Sequence, residues 1–170
     1  MSFDRILVAL NRSASDKDVF DRALSIAEPH TAEVKVVHFL NEPVITPTPT
    51  PLGTGIGAGW YSPVSTELPQ MERPEYQDQL EEVRSWLKRY EEEARLRGVR
   101  AHCESNIGEP GFWICELAKE WNADLIVVGR RGRKGLAEVV LGSVSNYVLH
   151  NAPCSVLTVQ AETVDTEEES

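Results

Sequence analysis

The sequence predicts an α/β protein: a five-stranded parallel sheet wound with helices on both faces. Three observations predict it. Short runs of continuous apolar residues recur along the chain, as in strands buried on both faces. Segments of helical periodicity alternate with them, so strand–helix–strand crossovers follow in series. The fourth run, 124–128, leads into a glycine- and arginine-rich connection that ends in Gly142-Ser143, where a new helix begins. Helix starts of this kind attract anions, phosphate above all. The expected strand order is 3-2-1-4-5, with ligand at the C-terminal strand ends where the order reverses. Asn11 and Gly129 both fall at that point, between the first and fourth strands.

Residues 3–10 form the first strand, with Ile6 to Leu10 continuously apolar. Asn11, Ser13 and Ser15 supply turn and cap chemistry, and Asp16 and Asp18 lie in the first turn of the helix that follows. Val19, Phe20, Ala23, Ile26 and Ala27 recur at helical spacing over about 15–28, and Pro29 stops the helix. Residues 33–40 are the second strand, with Val34, Val36, Val37 and Phe39 inward. Residues 41–73 carry prolines and glycines that break any element and read as a long loop insertion. Its Gly53-Thr54-Gly55 run is not a dinucleotide fingerprint, because proline–threonine repeats stand where a strand is required.

Residues 75–97 form the longest helix, with Tyr76, Leu80, Val83, Leu87, Tyr90 and Ala94 as one apolar stripe. Gly98 ends it. The third strand, 99–106, alternates polar and small residues and suits a sheet edge. Pro110 then opens a helix carrying Trp113, Ile114, Leu117, Ala118 and Trp121. A fourth helix over about 143–150 and a fifth strand over 154–159 complete the chain.

At 170 residues the chain suits one domain, 1–160, followed by an acidic tail, 161–170. The net charge of -10 argues against nucleic acid or an anionic membrane as partner. The three cysteines show neither C-x-x-C nor zinc spacing, so a reducing compartment is expected. The first residues run straight into a strand, and no apolar run approaches the ~20 residues of a membrane span. A cytoplasmic protein is the expectation.

Within this acidic chain, Arg130, Arg131, Arg133 and Lys134 concentrate positive charge between Gly129 and Gly142. Glycine at 129 and 132 permits a sharp turn and a close ligand, and Ser143 is suited to the N-cap. The plainer reading is a simple connection between strand and helix. His38 reads as a strand histidine with its own partner, and Glu109 as a helix-start charge. No residue presents itself as a general base, and His102 and His150 lack metal-ligand companions. The fifth strand, at a sheet edge, leaves an apolar border that pairing with a second copy would cover.

Gly129, two residues, Gly132, nine residues, Gly142 and Ser143 resemble the G-x2-G-x9-G-[ST] signature of the nucleotide-binding universal stress proteins. The resemblance covers nearly the whole chain, including the Val37-His38-Phe39 ending of the second strand. It implies a Rossmann-like fold of the adenine nucleotide alpha hydrolase type. It further implies ribose and phosphate contacts at Gly129, Gly132, Gly142, Ser143, Val144 and Ser145, with Arg131 and Arg133 near the phosphates. Ala9 and Phe39 match backbone positions lining the adenine pocket, and Val128 would be its apolar wall. Asn11 stands where the family usually has aspartate; an amide still bonds sugar or base but gives a divalent cation little support, so magnesium is doubtful. The resemblance also implies a homodimer through 154–159. ATP or AMP is the implied ligand, in a stress sensor or regulator acting on an unidentified regulatory protein partner. Slow ATP hydrolysis and an interaction module with a vestigial pocket are the alternatives.

Overall fold

In a computed structural model of the chain, residues 2–40, 74–130 and 142–160 are described, with 74–76 by backbone only. The central strand is β1 (Arg5–Ala9), flanked by β2 (Glu33–Leu40) and β4 (Leu125–Gly129). Outside these lie β3 (Arg100–Ile107) and β5 (Ser155–Val159), giving the order β3-β2-β1-β4-β5 with every pair parallel. This is the predicted order. Four helices connect the strands: α1 (Asp16–His30), α2 (Pro74–Leu96), α3 (Pro110–Glu120) and α4 (Ser143–Asn151).

The period of two along a strand explains why the apolar runs are continuous. Ile6 and Val8 of β1 enter one core cluster, whereas Leu7 between them enters the other. β4 does the same, with Leu125 and Val127 on one face and Ile126 and Val128 on the opposite face. α1 and α2 cover the first face through Val19, Phe20, Leu24, Val83, Leu87 and Ala94. α3 and α4 cover the second through Ile114, Cys115, Ala118 and Val148.

Three local expectations need correction. α1 continues through Pro29 to His30; Pro29 lacks the N–H that would return to Ser25, and only His30 follows it in the helix. Thr31 ends it in a left-handed conformation, φ 56°, its N–H returning to the carbonyls of Ala27 and Glu28. On α2 the apolar stripe is wider than read: Trp86 packs against the core and stands edge-on to Tyr90, ring centroids 5.3 Å apart. On α3 the inward residue is Cys115, while Trp113 is 46% exposed beside Phe112. The phase of α3 is set by Ile114 and Ala118, which leaves position 113 outside. The loop 41–73 and the tail 161–170 lie outside the described residues.

Burial pushes the Cys103 thiol up to about 12, and burial also raises those of Cys115 and Cys154. All three are free thiols. At pH 8 the thiolate population of Cys103 is lower than that of an ordinary thiol by about three orders of magnitude. Native protein should therefore react slowly with a thiol-directed disulfide reagent at pH 8, and unfolded protein rapidly. The folded state holds this proton more tightly than the unfolded chain, so stability should fall as pH rises between the ordinary 9.0 and about 12. Denaturant titrations at several pH values check this, with Cys103→Ala flattening the dependence. Phe20, fully buried, should cost about 3–5 kcal/mol when truncated to Ala, whereas exposed Phe112→Ala should stay within about 0.5 kcal/mol.

Candidate functional site

The chain reverses its direction of travel across the sheet at β1 and β4, and the two strands end side by side, Ala9 opposite Val128. On its other side Ala9 faces Val37 of β2. Leu10 extends the ladder by one bond, its N–H donating to the Val37 carbonyl at 3.0 Å. The Leu10 carbonyl accepts from His38 Nδ1 at 2.9 Å, which places the ring proton on that nitrogen. His38 is buried and stands edge-on to Trp86. It has the partner that the sequence reading expected.

Beyond Leu10 the backbone bends through Arg12 in the left-handed region, φ 59°. Asp16 closes the bend. Its Oδ1 accepts from the Asn11 N–H at 3.2 Å and the Ser13 hydroxyl at 3.1 Å, and its Oδ2 accepts from the Ser13 N–H at 3.0 Å. Asp16 is only 4% exposed. Its charge is felt across the fold: the Tyr90 hydroxyl is pushed up, first by burial and next by Asp16. The Arg12 side chain leaves the bend for Glu82 of α2 at 2.6 Å, and that hydrogen bond holds the Glu82 carboxyl below its ordinary range.

At the end of β4, Gly129 is still a strand residue opposite Val159. Its backbone is not among those with positive φ, so a sharp turn is not what requires glycine here. α1 passes close by: a Cβ at 129 would lie 3.1 Å from Val19 Cγ2 and 3.3 Å from Ser15 Oγ, and those side chains would have to shift by a few tenths of an ångström to admit it. The Gly129 carbonyl accepts from Ser145 Oγ at 2.6 Å, which seats the first turn of α4 against the strand end.

The N-cap of α4 is Gly142, φ -63° and ψ 158°, and Ser143 is the first helical residue. The expected Ser143 cap is thus corrected by one position. The extended backbone of Gly142 places its own carbonyl to accept the Asn146 N–H at 2.9 Å, the first bond of the helix. Gly142 brings no side chain, and the first turn of α4 holds no acidic residue. The other helix starts at this edge differ. α3 is capped by Glu109, whose carboxylate accepts the Gly111 and Phe112 N–H groups at 3.2 and 2.7 Å. α1 carries Asp16 and Asp18 in its first turn.

Of the residues singled out in the sequence, Ala9, Asn11, Phe39, Val128, Gly129, Gly142, Ser143, Val144 and Ser145 all lie at this C-terminal edge. Asn11 and Ser143 are exposed there, and Phe39 packs into the cluster beneath α3 and α4. Arg131, Gly132 and Arg133 lie outside the described residues. Arg130 turns toward β5, its guanidinium 3.2 Å from the Gln160 side-chain oxygen. The Ser145 hydroxyl donates to the Gly129 carbonyl, while its backbone N–H lies in the first turn of α4. Asp16 was missed as a loop-closing residue; an aspartate three residues past a strand-end serine is the signal that could have found it. Among the described residues no group of three or more His, Cys, Asp or Glu is placed to hold a metal ion, and no helix is long and apolar enough to cross a membrane.

An open parallel sheet whose order reverses between β1 and β4 defines the class: a doubly wound α/β protein. The universal stress protein family model matches residues 2–160, and the chain belongs to that family. It is similar to the universal stress protein Sll1388 of Synechocystis, 38% identical over 160 residues that cover 94% of this chain and 99% of the relative. Two solved structures share the fold. A universal stress protein from Archaeoglobus fulgidus in complex with dAMP aligns at TM-score 0.61 and 22% identity, covering 93% of this chain and 98% of its own. A universal stress protein family protein from Arabidopsis thaliana with AMP bound aligns at TM-score 0.59 and 21% identity, covering 97% of both chains.

Two changes test the packing of this edge. Ser145→Ala removes the bond to Gly129 and should lower stability by about 1 kcal/mol in denaturant titration. Gly129→Ala places a methyl 3.1 Å from Val19 Cγ2 and 3.3 Å from Ser15 Oγ, which those side chains relieve by a small shift, so its cost by the same measurement should stay below about 1.5 kcal/mol.

Proposed function

We propose that this chain binds an adenine nucleotide, ATP or AMP, at the switch-point edge and acts as a nucleotide-responsive regulator in a stress response. The observation that carries the reading is the start of α4. It is a helix start at this edge with no carboxylate of its own, held against Gly129 by Ser145. The N–H groups of Ser143, Val144 and Ser145 have no carbonyl partner within the helix, and the helix dipole adds positive potential. A phosphate group satisfies both. The AMP and dAMP named with the two structural relatives support an adenine nucleotide as the ligand class.

Sugar and base then extend over the ends of β1 and β2, with Asn11 as a two-way hydrogen-bonding group and Ala9, Phe39 and Val128 as neighbours. Gly132, Arg131 and Arg133 join the phosphate side on sequence grounds. The described residues do not fit a divalent cation here. Asn11 is neutral, and both oxygens of Asp16 are already engaged. Among the described residues β5 pairs with β4 alone, and a homodimer formed through 154–159 would cover its other border. Such a dimer, in the cytoplasm, offers the two-state element through which ligand could bias a regulatory partner.

Isothermal titration in EDTA should show saturable binding of AMP or ATP; no binding at millimolar nucleotide refutes the proposal. Ser143→Pro gives the sharper test. Proline is tolerated at the first helical position, and Gly142 already has the extended backbone that precedes proline. The variant should keep its fold and lose one amide, weakening nucleotide binding by about tenfold or more.

A further inference from the structure

The β1–α1 connection carries a buried negative charge. Two of its backbone N–H groups, those of Asn11 and Ser13, donate to Asp16. The Ser13 hydroxyl is spent on the same carboxylate. Asp16 itself is 4% exposed, so its negative charge sits in protein beneath the turn and is screened less than a surface charge. Asp18 adds a second negative group to the first turn of α1. Arg12, the cation nearest in sequence, is paired with Glu82 at 2.6 Å.

Across the cleft the charge differs: neither helix start has a side-chain cap bond, but the first turn of α4 has no acidic residue. We propose that Asp16 is a specificity-determining, positioning residue, which sets the direction of the bound nucleotide without touching it. It occupies two backbone donors of the turn and repels the phosphate from the α1 side. The phosphate end is left to α4, and the uncharged sugar and base go to Asn11. This inference rests on the nucleotide reading above, which already gives the site its polarity, and adds to it only the residue that sets that polarity.

The test compares adenosine, which is neutral, with AMP, which is charged but otherwise alike. Affinities of both are measured by titration calorimetry in EDTA for the native chain, Asp16→Asn and Asp16→Ser. Asparagine keeps an oxygen for the Asn11 N–H, and serine keeps a short acceptor at the helix start; either variant suffices if the other does not fold. The AMP-to-adenosine affinity ratio should rise about tenfold in the variants. That is the order expected for one unit charge removed about 10 Å from a phosphate at an effective dielectric of about 20. A merely structural clamp would weaken both ligands together and leave the ratio unchanged, and that result overturns the inference while sparing the nucleotide reading. Binding of neither ligand by the native chain overturns both.

Discussion

The ladder on both sides of β1 is the constraint on which the site depends. β1 bonds to β2 through five register pairs, Arg5–Glu33 to Ala9–Val37, and to β4 through four, Ile6–Leu125 to Ala9–Val128. Because β1 is first in sequence and central in space, the crossovers from it and from β3 leave in opposite directions. α1 and α2 therefore go to one face, and α3 and α4 to the other. The gap between the ends of β1 and β4 follows from this strand order. The cleft is a by-product of strand order.

Order alone leaves the two strand ends loose, and polar side chains secure them. Asp16, His38 and Ser145 are the polar side chains buried among the described residues. Each is spent on backbone within this edge: His38 on Leu10, Asp16 on Asn11 and Ser13, Ser145 on Gly129. For Asp16 the three bonds, at about 1.5–3 kcal/mol each, are set against a burial cost of several kcal/mol. The net gain in stability is small. What the arrangement supplies is conformation: a left-handed Arg12 and a turn tied to the start of α1. Among the described residues the buried polar side chains thus gather at the edge where the nucleotide site is proposed.

The helix starts divide the work by charge. α1 and α3 place their own carboxylates at this edge, and α4 places none. Among the described residues, negative charge is concentrated at the starts of α1 and α3 and absent from the first turn of α4. Under the proposed reading, this asymmetry directs an anionic ligand toward α4.

Fold class, strand order and the place of the cleft were legible in the sequence, because period-two and period-3.6 burial write themselves directly into residue order. The apolar runs of β1, β2 and β4, and the glycine-serine start of α4, needed no coordinates. Close approach and side-chain direction were not legible, since they depend on segments distant along the chain. Gly129 reads as a turn residue until α1 is seen 3.1 Å from where its Cβ would be. The Ser145 hydroxyl reads as free until it is found on Gly129, and Asp16 as a solvated helix charge until its oxygens are found closing the loop ahead of it. Periodicity is a property of one segment, whereas the donor a buried oxygen finds is decided only when segments meet.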